Sequence, residues 1–261
     1  MWQTLVTLLF IELITRRAVR EYKSMWHQKR LSVILPTYNE KDSIKKVIRD
    51  FEALNIFDEI LVVNNNAAKG TSEEVAKTSA IEVMESDPGY GSAIQRGFKE
   101  AKGDLIFVCE PDDTFVAEDA FKFLDYIDDV DVVYGSRTVK NFIGKGANMG
   151  HFLKTGNWFV AKLLQVMYRT NSLTDVGCTF RLIKRPALKK MQKSFRIKSG
   201  FFGPEMMLLT QHFNIPFVQI PIKYQARVGE SSYTGDFKKA FKLGMQMIWF
   251  IITFSLRGYK K

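Results

Sequence analysis

The sequence predicts an α/β protein: a mostly parallel sheet with helices on both faces and a helical C-terminal extension. Three observations predict it. Short, continuously apolar runs alternate with amphipathic segments of helical period, the pattern of strands buried on both sides. At 261 residues the chain is long enough to bury one large core. No internal repeat or low-complexity linker interrupts the alternation.

The elements follow in order. "LSVILP" (31–36) is β-branched, apolar and closed by proline, so it reads as the first strand. Residues 40–54 place Ile44, Val47, Ile48, Phe51 and Leu54 at helical spacing. "DEILVV" (58–63) is a second strand, and "GTSEEVAKTSA" a helix opened by Thr71 or Ser72. "IEVMES" (81–86) is a third strand, "GSAIQRGFKEA" a helix, and "DLIFVC" (104–109) a fourth strand. "AEDAFKFLDYI" is a helix and "DVVYGSR" a fifth strand. After about residue 140 the rhythm changes. A long helix near 147–169, a short strand at 178–183, helices near 186–193 and 203–213, a strand at 217–224 and a terminal amphipathic helix are expected. The expected division is a basic amphipathic segment at 1–30, an α/β domain at 31–235 and a C-terminal helix at 236–261.

The chain holds 38 Lys and Arg against 28 Asp and Glu, a formal charge of +10, which implies an anionic partner. The cations gather at the ends. "RRAVREYKSMWHQKR" (16–30) follows the apolar "LVTLLFIELI", and "FKKAFKLGMQMIWFIITFSLRGYKK" closes the chain. Neither apolar run reaches the roughly 20 residues of a membrane span. Glu12 interrupts the first, which also lacks the basic start and cleavage site of a signal peptide. Two readings stand: core-packing helices, or interfacial anchors with a basic face for anionic lipid. The anchor reading makes the protein peripheral to a membrane, on its cytoplasmic side. Cys109 and Cys178 lie far apart and form no CxxC pair, so buried thiols are expected rather than a disulfide or zinc site.

In open parallel sheets, ligands bind outside the carboxyl ends of the strands. The predicted strand ends carry "PTYNE", "NNNAAKG", "ESDPGYG", "EPDD" and "GSR". No G-x-G-x-x-G follows the first strand, and P-loop, HExxH and G-x-S-x-G motifs are absent. That sets aside dinucleotide-binding and ATP-hydrolase readings. Glu110 and Asp112, separated by the stiff Pro111, can seat one hard divalent cation, Mg²⁺ or Mn²⁺, which takes one or two carboxylates plus substrate phosphates. The competing reading makes the acids a helix cap, with Asp113 serving partly as one. His27, His151 and His212 share no motif. Glu205 in "FGPEMM" reads either as an acceptor-side base or as a buried, paired carboxylate.

"LSVILPTYNE", "EILVVNNN", "PGYGSAIQRGFKEAKGDLIFVCEPDDTF" and "DVVYGSR" together resemble the family 2 glycosyltransferases of the GT-A fold, a Rossmann-like α/β architecture. "TDVGCTFRLIKR" (174–185) and "VQIPIKYQARVGESSYTG" resemble the dolichyl-phosphate mannosyltransferase and polyprenyl-phosphate glycosyltransferase branch. The resemblance implies that Pro36, Tyr38, Glu40, Asn64 and Gly91 hold a nucleotide-sugar, together with Glu110, Pro111 and Asp112 at the D-x-D positions. It implies that Arg137 and Arg227 face phosphates, and that Asp175 and Arg181 lie where sugar and acceptor meet. Three positions depart from the family pattern: Asn64 stands for Asp, Glu110 for Asp, and Ser232 for Lys. The implied activity is metal-dependent, inverting transfer of a hexose from a nucleotide-sugar, expected to be UDP-linked, to a polyprenyl or dolichyl phosphate at a membrane surface. Nucleic acid is not an expected partner. The rivals are a glycosyltransferase with a hydroxyl acceptor, and a catalytically silent membrane-associated binding protein.

Overall fold

A computed structural model of the chain describes residues 29–147, 150–229 and 237–259. Seven strands form one sheet: β1 (Leu31–Thr37), β2 (Glu59–Asn64), β3 (Ile81–Met84), β4 (Leu105–Val108), β5 (Val132–Ser136), β6 (Arg181–Lys184) and β7 (Phe217–Pro221). The helices are α1 (Lys41–Ala53), α2 (Thr71–Val75), α3 (Tyr90–Glu100), α4 (Ala120–Ile127), α5 (His151–Tyr168), α6 (Arg185–Met191), α7 (Phe202–His212) and α8 (Phe237–Thr253). The strand order is β3-β2-β1-β4-β6-β5-β7. All neighbours are parallel except β6, which runs antiparallel to both β4 and β5.

Alternation along each strand divides the core into two layers. Leu31, Val33 and Leu35 face a cluster built with Ile44, Val47, Ile48 and Phe51 of α1 and Phe123, Leu124 and Ile127 of α4. Ile34 faces the opposite cluster, where Ile94 and Phe98 of α3 join α5, α6, α7 and the inner side of α8. The first layer is dense in rings, with Phe123 and Phe180 centred 4.6 Å apart and Phe107 edge-on to Phe57 at 5.3 Å. Truncating one such buried ring costs about 3–5 kcal/mol. Both cysteines are buried free thiols.

Several elements are shorter than their sequence periods predict, for local reasons. The helix after β2 stops at Val75 because Thr78 bonds back to the Val75 carbonyl at 2.6 Å and Ser79 bonds the Glu52 carboxylate. Hydroxyl bonding of this kind competes with helix continuation. The predicted strand at 178–183 starts only at Arg181, and β7 ends at Pro221, which has no N–H for the ladder. Asp113 is no helix cap: its φ is +65° and its carboxylate pairs with Lys46 at 2.6 Å.

Strand order is what positions a site. β1 has β2 on one side and β4 on the other, so the chain reverses its winding between β1 and β4. The carboxyl ends of those two strands flank a crevice by topology alone.

Candidate active site

Two acidic segments meet at that crevice. β1 runs into Tyr38, Asn39 and Glu40; β4 runs into Glu110, Pro111 and Asp112. Glu40 turns its carboxylate back onto its own loop, where Oε2 accepts from the Tyr38 N–H at 2.7 Å and the Asn39 N–H at 2.9 Å. The acidic loop is fastened from two sides. Ser43 of α1 donates to the Pro111 carbonyl at 2.6 Å. On the other side, Gln225 N–H donates to the Thr114 carbonyl and Val228 N–H to the Asp112 carbonyl.

Asp112 is nearly fully buried, and its two oxygens have different work. Oδ1 accepts from the Thr114 N–H at 3.0 Å and the Thr114 hydroxyl at 2.6 Å. Oδ2 lies 2.8 Å from Nη2 of Arg227, and the same Nη2 stands 3.8 Å from Oε1 of Glu40. Arg227 therefore spans the crevice between the β1 and β4 loops. Glu110 is half-buried. Desolvation first, then repulsion from Asp112, raises its carboxyl to about 7, against the partial relief of Arg227. Water still reaches its surface, but protein atoms crowd the carboxyl itself.

This corner fits a divalent cation. Glu110 and Asp112 repel each other, and among the described residues the cationic group paired with Asp112, Arg227, holds a single oxygen. Among the described residues no three His, Cys, Asp or Glu side chains gather into a full cage. The corner thus offers two carboxylates, and an ion held there would take its other ligands from phosphate oxygens and water.

On the far side of the crevice, Arg137 follows β5 and pairs with Asp175. Nε donates to Oδ2 at 2.8 Å and Nη2 to Oδ1 at 3.0 Å, a two-pronged bond in a buried place. The Arg137 and Gly177 N–H groups donate to the same carboxylate at 3.0 and 2.9 Å. Burial pushes the Asp175 carboxyl up, but Arg137 and these bonds outweigh it and hold the group below its usual range. The Tyr224 ring lies under the guanidinium, 5.2 Å from it. Gln219 fixes the Asp175 backbone, accepting from the Thr174 and Asp175 N–H groups and donating to the Asp175 carbonyl.

The predicted site residues thus separate into two groups. Tyr38, Glu40, Glu110, Asp112, Arg137, Asp175 and Arg227 border the crevice or brace a residue that does. The other six make their contacts within the fold. Pro36 is buried within β1. Asn64 donates to Glu82 at 2.8 Å and to Ser72, and accepts from the Ala67 N–H, so it ties β2 to β3 and α2. Gly91 gives its N–H to the Lys198 carbonyl at 2.8 Å, and a Cβ there would stand 2.3 Å from the Ile197 carbonyl. Only glycine lets residues 197–198 approach α3 so closely. Pro111 offers its carbonyl to Ser43 and is itself buried.

Arg181 and Glu205 also lie inward. Arg181 is fully buried in β6, where Nη2 donates to the Cys178 carbonyl at 2.6 Å and the guanidinium sits 5.6 Å from the Tyr134 ring. Glu205 accepts from the Arg196 and Ile197 N–H groups at 3.0 Å each and from the Tyr259 hydroxyl at 2.7 Å. It anchors the segment before α7 and the last described residue, and both oxygens are in use. His212 packs against Phe213 and Phe254. His27 and Ser232 lie outside the described residues.

Sequence reasoning missed Thr114, Ser43, Gln219 and Tyr224. Thr114 carried a legible signal, since Asp-x-Thr at a strand end favours a side-chain-to-backbone turn. Gln219 and Tyr224 carried none, because their partners are far away in sequence.

A family model described as Glycosyl transferase family 2 matches residues 32–192. Over 209 residues the chain is 29% identical to the "Low-salt glycan biosynthesis hexosyltransferase Agl6" of Haloferax volcanii, covering 77% of this chain and 49% of that protein. It therefore spans about half the length of that relative. Over 204 residues it is 27% identical to the "Dolichyl-phosphate hexose transferase" of the same organism, covering 77% of this chain and 85% of the relative. Among solved structures it is similar to glucosyl-3-phosphoglycerate synthase from Mycobacterium tuberculosis, crystallised with Mn²⁺, UDP and glucosyl-3-phosphoglycerate. The TM-score is 0.69 over 93% of this chain and 85% of that one, at 15% identity, a likeness of fold.

Proposed function

Because the chain belongs to glycosyl transferase family 2, we propose that it transfers a hexose from a nucleotide-sugar, UDP-linked, to a polyprenyl or dolichyl phosphate at a membrane surface. Its sheet is the GT-A arrangement. The observation that carries the proposal is the corner at β1 and β4. There Glu110 and Asp112 face a crevice spanned by Arg227, with the Arg137–Asp175 pair beyond it. A diphosphate needs a site of this kind, with carboxylates for its cation and arginines for its oxygens.

Glu110 and Asp112 would hold Mg²⁺ or Mn²⁺. When bound, that ion supplies Lewis-acid neutralisation of the diphosphate leaving group. The protein's own groups do the rest. Arg227, paired with Asp112 and close to Glu40, would offer N–H groups to a phosphate oxygen in the crevice. Glu40 shapes the β1 loop against the nucleoside, beside the exposed Tyr38. Asp175 holds Arg137 aimed into the crevice, so the guanidinium arrives with little rotational freedom left to lose. In the transfer step an acceptor oxygen forms a bond to the anomeric carbon from the face opposite the donor phosphate. The sugar–phosphate bond breaks, and the nucleoside diphosphate leaves.

A phosphate monoester supports this acceptor class on protonation grounds. Its second pKa is near 6, so at neutral pH the attacking oxygen carries no proton to remove. A hydroxyl acceptor would require a positioned general base. Glu205 and Asp175, the sequence's two candidates for that role, both have their oxygens committed to hydrogen bonds. The test is release of nucleoside diphosphate from a panel of nucleotide-sugars, with and without Mn²⁺ or Mg²⁺, with polyprenyl phosphate or polyprenol as acceptor. Metal-dependent transfer to the phosphate is expected. Transfer to the alcohol only would install the hydroxyl-acceptor reading, and donor binding without turnover the silent binder.

A further inference from the structure

We propose that the outward face of α8 is a docking surface for an anionic lipid bilayer. The proposal deepens the reading above and rests on it, by naming the surface through which the protein meets the membrane.

The helix has two apolar faces where one would suffice. Met247, Phe250, Ile251 and Phe254 turn inward and are buried against α5 and α7. Phe241, Met245, Trp249 and Ile252 recur at spacings of three and four, and Leu256 continues the series on the following turn. At about 100° per residue they fall within an arc of about 80°, on the side away from the core. Their exposures are 54, 50, 66, 43 and 83% in that order, a coherent stripe of large, exposed apolar side chains. Isolated exposed apolar residues need no explanation, but a contiguous set marks an interaction surface.

Charge selects the occupant. The arc between the two apolar faces carries Lys242, Gln246, Thr253 and Arg257. No Asp or Glu occurs after Asp236, nor between Asp131 and Asp175, a stretch that includes all of α5. α5 packs on α8 through Tyr168, whose hydroxyl donates to the Ile251 carbonyl at 2.6 Å, and it exposes Trp158, Phe159 and Val166. A second copy of this chain would bring like charges together across a two-fold interface. The chain's own residues 1–28 carry Arg16, Arg17, Arg20 and Lys23 against Glu12 and Glu21, so their balance is basic as well. An anionic bilayer supplies both an apolar interior and negative headgroups, and Trp suits the boundary between them.

The place is apt for a lipid substrate. Around Gly177, Asn157 of α5 and Arg137 lie on either side, each 2.9 Å from where a Cβ would stand. The exposed Trp158 and Phe159 thus begin within one residue of a side chain that borders the Arg137–Asp175 pair.

The test uses the full chain and vesicles of phosphatidylcholine, with or without phosphatidylglycerol. In a variant with Trp2, Trp26 and Trp158 changed to Phe, Trp249 is the sole tryptophan. Its emission is expected to shift to the blue on anionic vesicles and to be quenched by lipids brominated on the acyl chain. Trp249→Ser with Leu256→Ser should keep the fold by circular dichroism and weaken sedimentation with anionic vesicles by at least roughly tenfold. Added salt should weaken binding as well. Transfer to a short, water-soluble acceptor should be unchanged by the double substitution, which separates failure of docking from failure of the activity. If vesicles bind the protein while Trp249 stays unshifted and unquenched, the face is not the docking surface. Overturning results also include a dimer in solution that the two substitutions dissociate, and an acidic protein that protects Trp249 where vesicles do not.

Discussion

Glu110 offers a test of the cation site that needs no turnover. Its carboxyl is raised from 4.5 to about 7 by desolvation and by Asp112. At pH 5.5 the folded protein therefore holds a proton there, and a cation must displace it. At pH 7.5 the site is largely ionised. Competition of this form lowers affinity tenfold per pH unit below the pKa. Between pH 7.5 and 5.5 the divalent-ion dissociation constant should rise about twenty-five-fold, equivalent to about 2 kcal/mol. The stability of the cation-free protein should move the other way. An acid whose folded pKa is raised binds its proton more tightly when folded, so stability declines as pH rises from about 4.5 to about 7. Glu110 is partly exposed, so screening holds that decline to on the order of 1–2 kcal/mol.

The assay is calorimetric titration with Mn²⁺ at pH 5.5, 6.5 and 7.5, paired with thermal unfolding at the same pH values with and without the ion. Wild type should show that rise of about twenty-five-fold and a Mn²⁺-induced stabilisation that grows with pH. Glu110→Gln should bind weakly with a much flatter pH dependence, and Asp112→Asn should bind hardly at all. Affinity that is level across this range in the wild type, or an unchanged slope in Glu110→Gln, would refute the pairing of these carboxylates around one ion.

Four more outcomes follow from named contacts. Asp175→Asn leaves the buried Arg137 without its counter-ion, a loss of about 3–5 kcal/mol; thermal unfolding should show a fall on the order of 10 °C. Glu205→Gln cannot accept both backbone N–H bonds as it does now, so urea unfolding should show a loss of about 2 kcal/mol while turnover per folded molecule survives. Gly91→Ala puts a Cβ 2.3 Å from the Ile197 carbonyl, which should force α3 off residues 197–198 and cost about 1–3 kcal/mol in the same measurement. Arg181→Met replaces a buried cation by an apolar chain of similar length and should be neutral or stabilising with transfer retained, whereas loss of transfer in a stable Met variant would return Arg181 to the reaction.

Much of the fold was legible because the information was local. Ile44, Val47, Ile48 and Phe51 declare a helix by period, and "LSVILP" and "DLIFVC" declare strands by unbroken burial. The antiparallel direction of β6 was not legible, since "RLIK" reads the same in either direction and its register is set by β4 and β5. The crevice was legible for the same reason as the strands. Strand ends are read from where apolar runs stop, and Glu110 and Asp112 stop one of them. Arg227 could be placed at phosphate oxygens only through the family resemblance; its seat between Asp112 and Glu40 depends on the chain returning from β7 past Thr114, a contact across more than a hundred residues.

Motif positions and side-chain environments carry different information, and Arg181 separates them. In "TDVGCTFRLIKR" the aspartate and the arginine look like a pair sharing one task. The strand period puts them in different surroundings. Asp175 precedes β6 in the loop that meets β5, where Arg137 completes it. Arg181 opens the strand itself, between Val108 and Tyr134, and its guanidinium is enclosed by Cys178, Met206 and the Tyr134 ring. Its Nε finds no hydrogen-bond partner among the described residues, and no salt bridge to it occurs there. A desolvated cation held without a carboxylate is costly, so packing alone does not account for it. The fold offers one compensation, the faces and dipoles around the group: the Tyr134 ring and the Cys178 carbonyl both present negative charge to it. Phosphate is kept away by the same enclosure. The arginine that does reach the crevice from this side is Arg137, and Asp175 is what aims it.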